Sequence, residues 1–268
     1  MRQTAGMLVL SVVSLKGGVG KTTVSLGMSG AAAVRGLRTL LVDLDPQANA
    51  TEVMDVGNPP FTVNDVLADA RPGVLRDAIT PSGWHDRLDV VASEPALEHR
   101  NSPTDGRGGE HRLRTAMTGL TDYDLVVVDS PPSLGELTKN ALAASHRALV
   151  VAEPTLFALT GAQQALRAID VVRRGFNLRL RPGGVVVNRF RARSTEHRFR
   201  LDELVENYGP LVLEPVLPER TALTQAQGAH VPIQAWGTPG AREAAAIMDG
   251  YLTAIMADAA GPDVPLTV

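Results

Sequence analysis

Eight consecutive residues, Lys16-Gly17-Gly18-Val19-Gly20-Lys21-Thr22-Thr23, follow an apolar run and open a helical pattern. Their chemistry is that of holding a phosphate chain. Glycine tolerates positive φ and close main-chain approach, so backbone N–H groups can turn inward around an anion. A helix beginning near Lys21 adds the positive end of its dipole. Lys21 is placed to reach the β- and γ-phosphates of a nucleotide, and the Thr22 hydroxyl to ligate Mg²⁺. A glycine-rich turn with two solvated lysines would not need this strand–loop–helix setting.

Carboxylates close two other apolar runs. Asp43 and Asp45 lie in LLVDLDPQAN, and Asp129 ends LVVVD ahead of SPPSLG. In an open α/β sheet this end of a strand faces the ligand crevice. A carboxylate there can order an attacking water or a metal-bound water. The run ending in Asp129 fits a Walker B motif, whose acid binds Mg²⁺ directly or through water. Taken singly, each aspartate reads as a turn or N-cap residue. At successive strand ends beside a phosphate loop, the functional reading is preferred for Asp45 and Asp129.

The elements that must position these groups are legible as alternating patterns. Continuous apolar runs predict strands over 7–14, 39–43, 88–92, 125–129, 148–152 and 184–188, as expected where helices cover both faces of a parallel sheet. Helical spacing predicts helices over 21–35, 112–119, 135–145, 159–174, 195–208 and 241–258. The alternation implies an α/β fold, a doubly wound and mostly parallel sheet flanked by helices, in one domain over 1–268. Residues 58–83 interrupt it with Pro, Gly and short helical pieces. The polar, glycine-rich 98–110 reads as a mobile surface loop, and the tail 261–268 as frayed.

Composition narrows the chemistry. Of 268 residues, 44% are hydrophobic and 21% charged, with a net charge of −3, so the whole surface is not a nucleic-acid sponge. There are no cysteines, which excludes disulfides, thiolate metal sites, iron–sulfur clusters and cysteine nucleophiles. The first apolar run is too short to span a bilayer and leads straight into the glycine loop, so a cytoplasmic location is expected.

An ordinary phosphate loop has a glycine separated by four residues from its Gly-Lys pair, and Leu15 stands there instead, followed by Lys16. The string KGGVGKTT resembles the signature of the deviant Walker A ATPases, and VDLDPQANAT and DSPPS resemble elements of their ParA family. Similarity continues through EPTLFALTGAQQAL, VVVNRF and PVLPERTALTQAQGAHVPI. The resemblance implies a P-loop fold, ATP/ADP and Mg²⁺ as ligands, and an ATP-dependent homodimer. It gives Lys16 the role of a cation reaching the partner subunit's nucleotide, and Asp45 that of positioning the hydrolytic water. Asp43 would support the loop or the metal's outer shell. It makes Asn188 a candidate for adenine recognition and Pro218 a packing wall beside the base.

Within that family, absent cysteine excludes the iron–sulfur members. The MADAAGPDVPLTV end has no cationic amphipathic face for membrane binding, and no helix-turn-helix precedes the loop. The short chromosomal or orphan type remains, whose ATP dimer binds DNA non-specifically and is stimulated by an arginine-bearing segment of a ParB-like or cargo-adaptor partner. Seven arginines against one acid between positions 179 and 200 fit phosphate neutralisation. Arg189, Arg191, Arg193, Arg198, Arg200 and Arg220 are the candidates, and nucleoid association would follow. Some of them could instead solvate helix faces or pair with acids. An ATP-dependent metabolic ligase or synthetase on the same fold is the alternative function, and a catalytically inactive scaffold a third.

Overall fold

The structure is a computed structural model that describes residues 6–102 and 109–260. The tail expected over 261–268 and the centre of the loop expected over 98–110 lie outside the described residues. The strands are β1 (Leu8–Val13), β2 (Thr39–Asp43), β3 (Ile79–Pro81), β4 (Leu88–Val91), β5 (Leu125–Asp129), β6 (Arg147–Ala152) and β7 (Arg181–Val187). The helices are α1 (Lys21–Val34), α2 (Asn49–Val53), α3 (Val63–Asp69), α4 (Arg112–Ala116), α5 (Glu136–Ala144), α6 (Ala158–Gly175), α7 (Thr195–Tyr208), α8 (Thr221–Gly228) and α9 (Pro239–Ala260).

The strands form one sheet in the order β3-β4-β2-β5-β1-β6-β7. Every pairing is parallel except that of β3 with β4. All residues of β1, β2, β5 and β6 are buried, which is why these strands read as unbroken apolar runs. Alternation still decides which layer each side chain meets. Leu8, Leu10 and Val12 join Leu125 and Val127 beneath α1, α8 and α9. Val9, Val126 and Val128 face the opposite way, under α3, α4 and α5. Over β6 and β7 that second layer continues with α6 and α7.

Three elements escape the sequence patterns, the five-residue α2 among them. β3 has only three residues, half exposed, and ends in Pro81, which is tolerated on an edge strand because no ladder donor is needed there. α8 is short and follows a polar stretch, and its Ala222, Leu223 and Ala226 become core residues only against α1 and α9. β7 also begins earlier than expected, because Arg181 and Pro182 pair with Arg147 and Ala148 ahead of a register shift.

The parallel order sends the loops after β1, β2 and β5 to the same end of the sheet, where a parallel α/β fold holds its ligands. Helix α1 is tied down from behind by α9. A Cβ on Gly27 would sit 3.0 Å from the Cγ and Cε atoms of Met248, so glycine is what lets the fully buried methionine reach the α1 backbone. Met248→Ala removes this contact and is expected to destabilise the fold by about 2–5 kcal/mol, read as a lowered midpoint in urea unfolding.

Candidate phosphate-binding site

The loop between β1 and α1 turns through Gly18 and Gly20, at φ 78° and 94°. Gly20 is the N-cap of α1 and offers no side chain to its first turn, so those amide N–H groups remain for an anion. The loop is shaped from beneath by Asn188, the residue that follows β7. Its Nδ2 donates to the Val19 carbonyl at 2.7 Å, and a Cβ on Gly20 would stand 2.1 Å from that nitrogen. Gly20 is therefore required twice, for its φ and for the close approach of the amide.

A cleft of about 600 Å³ opens over this loop, lined by Gly17, Gly18, Gly20, Lys21, Thr22 and Thr23 together with Asp45. Lys21 is only 6% exposed, and burial lowers its pKa against the opposing pull of Asp129 and Asp45. The buried β2 and β5 ends bring Asp43 and Asp129 into register as neighbours. Burial pushes the Asp129 carboxyl up to about 6, with the nearby Thr22 and Ser25 hydroxyls and the Lys21 charge acting the other way. Asp43 is pushed up to about 7, by burial first and then by the charge of Asp129.

The surroundings of these acids differ. Asp43 accepts from the Asp45 N–H at 3.0 Å and from the Thr51 N–H and hydroxyl at 2.9 and 2.8 Å. Asp129 Oδ1 accepts from the Ser25 hydroxyl at 2.8 Å, whereas its buried Oδ2 has no hydrogen-bond partner. Asp45 is 6% exposed, lines the cleft, and has its Oδ1 capped by the Gln47 N–H at 3.0 Å. A bare carboxylate oxygen beside the Thr22 hydroxyl is a hard-oxygen donor set that suits Mg²⁺. Among the described residues no cluster of three His, Cys, Asp or Glu side chains forms a cage.

Other expected site residues fall elsewhere. Lys16 is exposed and does not line its own cleft; its Nζ donates to Thr155 Oγ1 at 3.4 Å. Asn188 is 2% exposed and does not line the cleft, because its amide nitrogen buttresses the phosphate loop. Its Oδ1 is buried without a hydrogen-bond partner among the described residues. Pro218 borders a second cleft of about 850 Å³, through an isolated bridge to Phe190, and not the phosphate cleft.

The arginine cluster is partly neutralised by its own neighbours. Arg191 pairs with Glu219, Arg200 with Glu196 and Glu203, and Arg220 with Glu243. Arg198 donates to the Ala192 carbonyl at 3.4 Å. Arg193 is exposed, and Arg189, at φ 57°, lines the phosphate cleft. Pattern reading also missed contributors. Ser25 could have been found, since it lies one helical turn after Lys21; Thr51, Ser93 and Gln227 reach the site only through the fold. Gln227 on α8 donates to Thr23 Oγ1 at 3.1 Å, and the ring nitrogen of His230 sits 3.1 Å from the Glu52 carbonyl oxygen.

With that geometry in view, likeness to known proteins becomes informative. An AAA domain family matches residues 7–181. The chain is 33% identical to the chromosome partitioning protein ParA of Myxococcus xanthus, over 84% of this chain and 80% of that one. A solved structure from Mycobacterium smegmatis, described as cobyrinic acid a,c-diamide synthase with bound ADP and magnesium, is 29% identical over 91% of this chain and 93% of that one, with a TM-score of 0.76. The ATP complex of a Cyanothece McdA variant reaches a TM-score of 0.84 over 94% of this chain and 97% of that one; at 20% identity it is a likeness of fold.

The two positive-φ glycines of the loop make a graded test. At Gly18 an added Cβ meets open space, so Gly18→Ala carries backbone strain alone. Gly20→Ala adds the collision with Asn188. Gly20→Ala is expected to destabilise by about 1–3 kcal/mol or more, and Gly18→Ala by less, measured as thermal midpoints of the purified variants.

Proposed function

The chain belongs to the ParA family of chromosome-partitioning P-loop ATPases, and on that premise we propose that it is a nucleotide-gated switch whose ATP-bound form is a homodimer and whose hydrolysis returns it to monomers. The observation that carries this reading is the position of Lys16. It sits on the phosphate loop yet stays exposed, outside the cleft of its own chain, with its Nζ making a long contact to Thr155. A cation so placed complements negative charge presented by a second subunit, as an arginine supplied in trans does in other P-loop switches.

The roles of the remaining groups follow from their surroundings. The loop amides and Lys21 bind the β- and γ-phosphates of ATP. Thr22 and Asp129 would hold Mg²⁺, with Asp45 near its bound water. The ion, when bound, supplies charge neutralisation at the phosphates. Asp45, with one oxygen capped and the other open, orients the attacking water. Asn188 contributes its unpartnered Oδ1 toward adenine, and Pro218 supports the neighbouring segment.

Non-specific DNA binding by the dimer completes the proposal, carried by Arg189 at the cleft rim and by Arg193 and Arg198, none of which makes an ion pair among the described residues. Because three of the six candidates are already paired with glutamates, each contact adds little and a dimer is needed to sum them. An activating partner of the ParB or cargo-adaptor type would act on this assembled form. The M. smegmatis likeness favours one other reading, ATP-dependent activation of a carboxylate for amide formation. The two differ in what accelerates turnover: DNA in the first, a small carboxylic acid in the second.

Two variants and one binding assay test the switch. Lys16→Ala is expected to bind a non-hydrolysable ATP analogue within about threefold of wild type by calorimetry. It should stay monomeric in light scattering and lose at least about tenfold in kcat. Asp45→Ala should dimerise with ATP and hydrolyse it about a hundredfold more slowly. Lys16→Ala turning over at the wild-type rate as a monomer would remove the trans-lysine role. DNA retention should require ATP over ADP and weaken steeply between two salt concentrations.

A further inference from the structure

We propose that Ser93 and Thr51 are positioning residues for Asp45, forming a hydroxyl relay that locks the main chain of the hydrolytic loop from the neighbouring strand. The inference rests on the reading that Asp45 orients the attacking water.

The loop leaving β2 has an apolar anchor, the fully buried Leu44, whose N–H donates to the Asp129 carbonyl at 2.8 Å. Past that point its path is set by polar contacts. The Asp45 N–H is held by Asp43 Oδ1 at 3.0 Å. The Asp45 carbonyl accepts from the Ala48 N–H at 2.9 Å and from the Ser93 hydroxyl at 2.7 Å. Ser93 comes from the loop after β4, the strand paired with β2, and is 6% exposed. Its own N–H donates to Thr51 Oγ1 at 2.9 Å, and the same Oγ1 donates to Asp43 Oδ2 at 2.8 Å. The ring Asp43–Thr51–Ser93–Asp45 therefore closes on both main-chain polar groups of Asp45 and leaves its side chain in the cleft.

Two features point to positioning and not to folding alone. The Ala48 bond already satisfies the Asp45 carbonyl, so the Ser93 hydroxyl is a second donor that restricts direction more than it fills a deficit. The relay also touches the loop only at Asp45 and Thr51, while the phosphate cradle is held independently by Asn188. Loosening the relay should leave nucleotide affinity alone and blur the angle of one carboxylate, the kind of misplacement that costs rate far from the reacting atoms.

The test uses the full chain with Mg²⁺ and either ATP or a non-hydrolysable analogue. Ser93→Ala is expected to lower kcat about tenfold, with KM and analogue affinity within about twofold of wild type and the thermal midpoint little changed. Thr51→Val should show the same split, and Thr51→Ser, which keeps the hydroxyl, should turn over at the wild-type rate; if loss of the buried acceptor for the Ser93 N–H unfolds Thr51→Val, Ser93→Ala and its double variant with Asp45→Ala carry the test. The double variant Asp45→Ala/Ser93→Ala should be no slower than Asp45→Ala alone, because the relay acts through Asp45. Wild-type kcat in Ser93→Ala, or losses that multiply in the double variant, overturns the relay while leaving the switch standing. Wild-type kcat in Asp45→Ala overturns the hydrolytic reading itself, and the relay with it.

Discussion

Two carboxylates buried side by side on adjacent strands govern everything around them. Asp43 and Asp129 are neighbours in the ladder between β2 and β5, and neither is exposed to solvent. Removing one carboxylate from water is costly, and a second like charge next to it raises the cost again. Burial pushes both groups above the ordinary carboxylate range; the charge of Asp129 adds to the shift of Asp43, and the charge of Asp45 to that of Asp129. Asp43 is surrounded by donors and becomes the anchor of the loop carrying Asp45. Asp129 keeps one buried oxygen without a hydrogen-bond partner among the described residues.

The phosphate loop is built on a different principle. Its shape comes from main-chain conformation, with positive φ at Gly18 and Gly20, and from one buried amide pressing on Val19. Asn188 arrives from the far end of the chain, after β7, so the cradle is assembled only when β6 and β7 have joined β1. Helix α8 closes the arrangement from the side, through Gln227 on Thr23 and the His230 contact with α2. The cleft is thus walled by segments spread over more than two hundred residues of sequence, while the exposed Lys16 lies outside its lining.

The arginines show how pairing reshapes a charge pattern. Counted along the chain, positions 179–200 look strongly basic. In three dimensions Glu219 and Glu243 fold back onto Arg191 and Arg220, and Glu196 and Glu203 flank Arg200 one helical turn away on each side. Exposed ion pairs of this kind contribute little to stability, but they lower the field available to a polyanion. Of the six candidate arginines, Arg189, Arg193 and Arg198 make no ion pair among the described residues.

Much of this protein was legible in its residues alone. Unbroken apolar runs located six of the seven described strands, because a strand covered on both faces has no polar side to hide its signal. Of the residues singled out in the sequence, Gly17, Gly18, Gly20, Lys21, Thr22, Thr23 and Asp45 line one cleft, because loop geometry of this kind is encoded in a short string. The tertiary structure alone decided which polar groups meet. It moved Asn188 beneath the loop, drew Pro218 to a different cleft, set Arg189 at the rim, and linked Ser93 and Thr51 to Asp45. Such contacts join residues far apart in sequence, and no periodicity records them. They exist because parallel strands deliver their ends to one edge of the sheet, where buried polar groups must find partners or remain unsatisfied.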